Sequence, residues 1–159
     1  MSVYVICVGK LKEKFYLAAA AEYVKRLGSY CRLQMVELPE ERLSAAPSDA
    51  QIRAALAREA QAIRAKLPPS ASLVALCVEG KEHSSEAFAG LLSAWAQSPA
   101  KHLVFLIGGS YGLDEGLKRE AWLRLSMSPM TFPHHLARVM LLEQLYRAFK
   151  INEGSSYHK

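Results

Sequence analysis

Residues 103–113, LVFLIGGSYGL, decide the fold of this protein. The first five are apolar without alternation, which is typical of a strand buried on both faces of a parallel sheet. Three glycines follow within five positions, at Gly108, Gly109 and Gly112. Ligands of open α/β sheets bind outside the carboxyl ends of the strands, and glycine lets a ligand approach the main chain. The stretch therefore predicts an α/β sheet with a backbone-lined binding loop.

Three other apolar runs precede this one, at residues 3–8, 33–38 and 73–78. The first and third are almost continuously apolar, as buried parallel strands are. The second contains Gln34 and Glu37, which is typical of an edge strand. Glycine also follows two of the runs, at Gly9 and Gly80, so the same end of the sheet is the candidate pocket. For Gly9, a turn that needs positive φ is the alternative explanation.

Helical periodicity fills the intervals between the runs. A first helix is predicted to end at Gly28 as its C-cap, with its apolar side at Phe15, Ala19, Tyr23 and Leu27. Ser48 and Gln51 form a capping-box pattern that opens a second helix, and Pro68-Pro69 closes it. The charged face of that helix is either simply solvated or in contact with RNA; it carries Arg53, Arg58, Arg64 and Lys66.

The second half of the chain continues the alternation. A third helix is predicted at about 85–97, a short one after Leu113, a strand at 122–125 and a long helix at 133–150. No internal repeat and no linker rich in glycine or serine interrupts the pattern. We expect residues 1–159 to form a single α/β domain with a mostly parallel sheet flanked by helices.

Composition limits the classes of function. The 20 Lys and Arg exceed the 15 Asp and Glu, and the net charge of +5 suits a polyanionic partner without requiring one. Cys7, Cys31 and Cys77 form no CxxC pair, and Cys7 and Cys77 lie in apolar runs as buried hydrophobes do. The first residues lack a basic leader, and no apolar run approaches the ~20 residues of a membrane span. We expect a cytoplasmic protein.

The glycine loop matches none of the standard nucleotide-binding or hydrolytic motifs. GxGxxG, GxxxxGK[ST] and GxSxG are absent, and no His, Cys or carboxylate cluster has the spacing of metal ligands. We therefore predict no metal site. A nucleoside-containing ligand held mainly by main-chain groups is compatible with the loop.

The start of the last helix combines polar and apolar residues. Thr131 or a nearby serine is predicted to cap it, with Pro133 in its first turn. His134 and Arg138 lie on one face with Leu141, Leu145 and Phe149, where they require a partner chain, a ligand or an anion. A core helix with a satisfied histidine is the alternative. Further apolar positions favour a homodimer interface, namely Leu136, Val139 and Met140. Glu143 and Arg147 have the spacing of an i,i+4 ion pair.

A family resemblance rests on four stretches together. They are residues 105–113, residues 125–134, the run from Arg138 to Ala148, and the ending Tyr157-His158-Lys159; the opening VGKLK at 8–12 fits as well. The chain resembles the ribosomal large-subunit pseudouridine methyltransferase H family of the SPOUT class over its whole length. The resemblance implies a homodimeric α/β fold with a deep trefoil knot, which general rules of topology would not suggest.

The resemblance also implies an activity. Such proteins transfer a methyl group from S-adenosylmethionine to N3 of a pseudouridine in 23S ribosomal RNA of the assembled ribosome. The cofactor is expected to contact Leu76, Gly108, Met127, Ser128, Pro129, Met130, Thr131 and Phe132. Four residues are expected to hold the target base and its charge, with the tail of one subunit completing the site of the other: His134, Arg138, Tyr157 and His158. Lys159 could also favour the anionic base or a neighbouring phosphate.

Basic residues near the N-terminal end of the chain are expected to face RNA, the alternative being a solvated surface; they are Lys10, Lys12, Lys14, Lys25 and Arg26. Two other classes of function stay open at this point. One is a non-catalytic ribosome-binding factor, and the other is an α/β enzyme that acts on a small nucleotide.

Overall fold

The computed structural model describes residues 1–158, apart from the side chain of His158; Lys159 lies outside the described residues. Strands and helices alternate along this range and a 3-10 turn follows at Ser156–His158. The strands are β1 Ser2–Val8, β2 Arg32–Leu38, β3 Ala71–Glu82, β4 His102–Ile107 and β5 Leu123–Ser126. The helices are α1 Lys14–Leu27, α2 Asp49–Arg64, α3 Ser85–Ala96, α4 Glu115–Glu120 and α5 His134–Asn152.

All strand pairs are parallel, in the order β2-β1-β4-β3-β5. The near-continuous apolar runs form the three central strands, and the mixed run at 33–38 is the edge strand β2, as predicted. The short strand predicted at 122–125 is present one residue later, as β5 at the opposite edge. The predicted α/β class with a parallel sheet is confirmed.

Two hydrophobic clusters cover the two faces of the sheet, because successive side chains of a strand point to opposite faces. Odd-numbered positions of β1 pack with α1, α3 and α5, whereas Ile6 and Val8 pack with α2 and α4. Helix α5 lies between α1 and α3 on the first face and buries Leu141, Leu142 and Leu145 completely or nearly so. This packing brings the N-terminus of α5 next to the carboxyl ends of the strands.

The helix boundaries agree with the sequence patterns to within a few residues. Two residues at the ends of α1, Gly28 and Phe15, differ from what the pattern predicts. The capping box of α2 is formed, since Ser48 Oγ accepts from Gln51 N at 3.2 Å and Gln51 Oε1 accepts from Ser48 N at 2.8 Å. Gly28 caps α1, but with φ −58° rather than a left-handed conformation. Phe15, placed on the inner face by spacing, is 66% exposed because it lies in the first turn, ahead of the first buried residue Ala20.

Strand β3 extends further than its apolar run. It continues through Gly80 to Glu82, with a register shift against β5 between Leu76 and Lys81. A Cβ at Gly80 would lie 2.8 Å from the backbone of Arg124. Gly80 therefore serves close strand packing, and its predicted position at a strand end is wrong. Among the described residues, no helix is both long and apolar enough to span a membrane.

Candidate active site

A cavity of about 600 Å³ lies at the carboxyl ends of β3, β4 and β5, beside the first turn of α5. Its volume is typical of a site for a small molecule or cofactor. The wall consists of the part of β3 that follows its pairing with β4, the glycine loop after β4, and the segment between β5 and α5. It is lined by residues 76–79, 107–113, 127–128 and 130–134, together with Lys118, Leu125 and Ala137.

The glycine loop folds back on itself, which leaves no space for side chains inside it. A Cβ at Gly108 would lie 2.2 Å from the carbonyl oxygen of Gly112, and Gly112 has φ +80°. Behind the loop, Glu40 Oε1 accepts a hydrogen bond from Ser110 N at 2.6 Å. Although burial alone raises the pKa of Glu40, its hydrogen bonds with Ser110 hold that pKa below the ordinary value. The loop thus presents main chain to the cavity and is fixed from outside by a carboxylate.

Two serines organise the segment between β5 and α5. Ser126 Oγ donates to Ser128 O at 3.0 Å, and Ser128 Oγ accepts from Met130 N at 3.0 Å. The predicted side-chain cap of α5 by Thr131 or a serine is therefore wrong. The N-cap is Pro133, whose side chain has no acceptor for a cap bond, and the two serines are engaged in their own turns.

His134 lies at the edge of the cavity and is partly buried. Its Nε2 is 3.1 Å from the position that a Cβ on Gly9 would occupy, and Gly9 has φ +94°. Burial, followed by the neighbouring His135, lowers the pKa of His134 below its ordinary value. The neutral imidazole, which can accept a proton, is therefore favoured near neutral pH.

Arg138 finds its partners within its own chain. Its side chain is 2% exposed, forms an ion pair with Glu37 and donates from Nη2 to Gly9 O at 2.9 Å. The need for a partner chain, ligand or anion, inferred from its position on an apolar stripe, is met by these two groups. Arg138 is not among the residues that line the cavity.

Tyr157 packs against the middle of α5, away from the cavity. Its hydroxyl donates to Glu143 Oε1 at 3.4 Å, and its ring is 5.0 Å from the ring of Tyr146. The Arg147 guanidinium stands 4.9 Å from the same ring. The predicted pair of Glu143 and Arg147 is formed at 2.7 Å. The side chain of His158 lies outside the described residues.

The residues expected to contact the cofactor are brought together by the fold. All of them except Pro129 line the cavity: Leu76, Gly108, Met127, Ser128, Met130, Thr131 and Phe132. Gly9, one of the glycines expected at the pocket, contacts His134 instead of the cavity. Its positive φ agrees with the alternative explanation that a turn requires glycine there.

Sequence reasoning missed the polar part of the wall. Lys118 has an 11% exposed side chain and pairs with Glu79 and Glu115. Glu79 could have been found, since it follows an apolar run at the carboxyl edge of the sheet. Lys118 could not, because the packing of α4 against β3 decides its position.

Cys77 also lines the cavity and is only partly buried, so its interpretation as a buried hydrophobe is wrong. Burial raises the pKa of its thiol, and Glu79 raises it further. Cys7 and Cys31 are buried, and burial raises the pKa of Cys7 to about 12. Within residues 1–158, no group of three or more His, Cys, Asp or Glu could hold a metal ion.

The basic residues differ in how far they are neutralised. Arg26 pairs with Glu22, and on α2 Arg58 pairs with Glu41. Arg64 of the same helix pairs with Glu120. In the described part of the chain, exposed lysines without an ion pair surround the start of α1: Lys10, Lys12 and Lys14.

Comparison with known proteins identifies the family of this chain. Residues 1–158 match the family model described as predicted SPOUT methyltransferase. A relative from Bifidobacterium adolescentis named ribosomal RNA large subunit methyltransferase H is 45% identical, over all of both chains. Relatives of the same name from Leuconostoc mesenteroides and Listeria monocytogenes are 43% and 42% identical, again over the full length of each chain. This chain therefore belongs to the SPOUT methyltransferases, in the family of the ribosomal RNA large subunit methyltransferases H.

Proposed function

We propose that this protein transfers a methyl group from S-adenosylmethionine to N3 of a pseudouridine in 23S ribosomal RNA, acting on the assembled ribosome. Family membership supports methyl transfer to ribosomal RNA, since the relatives carry that activity in their names. The observation that carries the proposal is the cavity of about 600 Å³ at the carboxyl ends of β3, β4 and β5. It is built around the glycine loop and the segment before α5, as a backbone-lined nucleoside site requires.

The residues of the cavity suit this cofactor. Apolar side chains of Leu76, Ile107, Leu125 and Phe132 surround the space, and an adenine ring needs such surfaces. Peptide groups of the glycine loop and of residues 127–132 can supply the hydrogen bonds that read its edge. This mode of binding explains why the sequence contains no conspicuous acidic ligand for a ribose.

His134 is the proposed proton acceptor. The donor supplies, when bound, a methyl group on a positively charged sulfur. Methylation of N3 would require the proton on N3 to leave. A neutral imidazole at the cavity edge can accept it, and its lowered pKa keeps the neutral form populated. Arg138, Tyr157 and His158 are proposed to hold the target base and its charge, Arg138 indirectly because it is buried.

The proposal includes a homodimer with composite sites. Tyr157 lies against Glu143, Tyr146 and Arg147, none of which lines the cavity of the same protomer. It can act on the target base only if α5 of one protomer meets the cavity of the other. Partly buried apolar residues on α5 can form that contact, namely Leu136, Val139 and Met140.

Substrate and location follow from the same proposal. Lys10, Lys12 and Lys14 are proposed to contact phosphates, together with Lys25, and Arg26 is less available because Glu22 pairs with it. Ribosomes assemble in the cytoplasm, where we place the protein. The single domain over 1–159 and the trefoil knot are part of this proposal as well.

Two measurements test the proposed function. Calorimetry should give one S-adenosylmethionine site per subunit, and labelled cofactor with ribosomes should methylate one pseudouridine, with no transfer to free nucleosides. Binding without transfer would favour a non-catalytic ribosome-binding factor. Transfer to free nucleosides would favour an enzyme of small nucleotides. Absence of cofactor binding would remove the proposal.

Cys77 provides an independent check of the site. It lines the cavity, whereas Cys7 and Cys31 are buried. S-adenosylmethionine should slow the reaction of Cys77 with a thiol reagent in the native protein. A Cys77→Ser variant should lose the labelling that the cofactor suppresses. Equal labelling rates with and without cofactor would place the cofactor elsewhere.

A further inference from the structure

An ion pair between the buried Arg138 and the more exposed Glu37 joins three elements beside the cavity without lining it. Arg138 is in the second turn of α5, and Glu37 is near the end of β2. The Arg138 guanidinium also donates to Gly9 O at 2.9 Å, and Glu37 Oε1 accepts from Leu11 N at 3.1 Å. Glu37 and Arg138 thus connect α5 with the exits of β1 and β2.

Stability is a poor explanation for this pair. Taking the Arg138 guanidinium out of water costs free energy that offsets much of its attraction to the Glu37 carboxylate, whose side chain is 34% exposed. Arg138 is 2% exposed, and its Nε has no hydrogen-bond partner among the described residues, so part of that desolvation is uncompensated. The effect of the pair is instead to fix the relative positions of the start of α5, Glu37 and the carbonyl of Gly9.

The ion pair fixes groups that also contact His134, which precedes Arg138 by one helical turn. The first turn of α5 has no side-chain cap, so local capping does not fix it. The imidazole packs on Gly9, with Nε2 3.1 Å from the position of a Cβ there. Arg138 holds the carbonyl of that same residue. The turn against which His134 packs and the helix that carries it are therefore held by one guanidinium.

We propose that Glu37 is a positioning residue: through Arg138 and the carbonyl of Gly9 it fixes the first turn of α5, and with it His134, at the edge of the cavity. This inference rests on the proposed function for its kinetic consequence. The placement of His134 itself is independent of the reaction. Glu37 is not among the cavity-lining residues and acts only through the groups that it holds.

The main test compares Glu37→Gln with Glu37→Asp in the full chain. The Gln variant removes the counter-charge of Arg138, and we expect kcat on ribosomes to fall about tenfold, less than the roughly hundredfold loss that a 1 Å misplacement can cause. The dissociation constant for S-adenosylmethionine should change less than about twofold, because the cofactor loops are untouched. The Asp variant keeps the charge and should recover part of the loss.

Arg58→Gln is the matched control. Its ion pair with Glu41 at 2.9 Å also ties the segment after β2 to a helix, but it is exposed and does not border the cavity. This variant should keep the wild-type kcat. An equal loss of kcat in Arg58→Gln and Glu37→Gln would overturn the proposal, since any broken ion pair would then suffice.

A spectroscopic measurement separates this proposal from the proposed function. The ¹⁵N–¹H signals of the His134 imidazole, assigned with His134→Asn, should shift in Glu37→Gln and return toward wild type in Glu37→Asp. Unchanged His134 signals in Glu37→Gln would overturn the positioning role, even if wild-type protein methylates ribosomes. If wild-type protein fails to methylate ribosomes, the proposed function is wrong. The imidazole signals then still decide whether Glu37 positions His134. Should Glu37→Gln not fold, Arg138→Lys, which keeps the charge, takes its place with the same expected shift.

Discussion

Gly108 shows how one missing side chain shapes the cavity. The space in which its Cβ would stand is occupied by the backbone of Gly112, at 2.2 Å, and no rotamer change can relieve a contact with main chain. Any substitution must therefore rebuild the loop. The same loop forms the cavity wall with its peptide groups, so its conformation determines what they can bind.

Gly108→Ala should weaken binding of S-adenosylmethionine by about tenfold or more, equivalent to about 1.4 kcal/mol. The measurement is calorimetric titration. Gly90→Ala is the control, because among the described residues no atom other than its chain neighbours and the local backbone of α3 lies within 4 Å of its Cβ position. That variant should keep the wild-type affinity and gain about 0.5–1 kcal/mol in the free energy of unfolding. Unchanged affinity in Gly108→Ala would contradict the placement of the cofactor.

His134 connects the pH dependence of activity with that of stability. Burial and then His135 lower the pKa of His134, so the folded protein binds this proton less tightly than the unfolded chain does. Protonation therefore favours unfolding. This contribution is complete at pH values above the ordinary histidine pKa of about 6.5 and is lost as the pH falls through the lowered value.

The activity should depend on pH through the protonation of His134. We expect kcat/KM on ribosomes to rise with pH along a limb whose midpoint lies below about 6.5, as His134 loses its proton. His134→Asn should abolish this limb and reduce kcat. If kcat/KM of His134→Asn still rose with pH around the same midpoint, the proton acceptor would be another group.

At the scale of elements, α5 does more than its apolar pattern indicates. It packs against α1 and α3, ends beside the 3-10 turn, and begins at the cavity. Its first two turns carry His134 and Arg138, whereas Leu141 and Leu145 further along belong to the core. One helix thus links the core to the site.

Helix α2 belongs to the opposite face and carries stability without lining the cavity. Ser48→Ala should cost about 0.5–2 kcal/mol, because it removes the hydrogen bond from Gln51 N. Thermal unfolding measures the loss, and the affinity for S-adenosylmethionine should not change. Ser44→Ala, an exposed position before the helix, is the control. Equal melting temperatures of the two variants would contradict the role of the capping box.

At the scale of the whole molecule, the proposed composite sites of a homodimer lead to a quantitative prediction. His134→Asn and Tyr157→Phe should each reduce methyl transfer. When the two variants are coexpressed, half of the dimers are mixed, and each mixed dimer contains one site with both native residues. About a quarter of the wild-type activity should return, given a closed two-fold dimer with statistical pairing. A mixture no more active than its components would show that His134 and Tyr157 belong to the same protomer or act separately.

The sequence determined the strand order along the chain, the edge character of β2, the capping box of α2 and the end of the sheet at which the cavity lies. These features depend on local propensity and on the periodicity of apolar residues, which a single chain displays directly. The family resemblance added the residues that we expect to contact the cofactor, and all of these except Pro129 line one cavity.

The remaining features depend on tertiary packing: the partners of Arg138, the contact of His134 with Gly9, the place of Lys118 and Cys77 in the cavity wall, and the exposure of Phe15. Glu37 and Arg138 are separated by 101 residues, and Lys118 and Glu79 by 39. Contacts of this kind arise when strands and helices distant in sequence are stacked in a particular order. Local pattern contains no information about which of these side chains will then meet, because that depends on packing across the sheet.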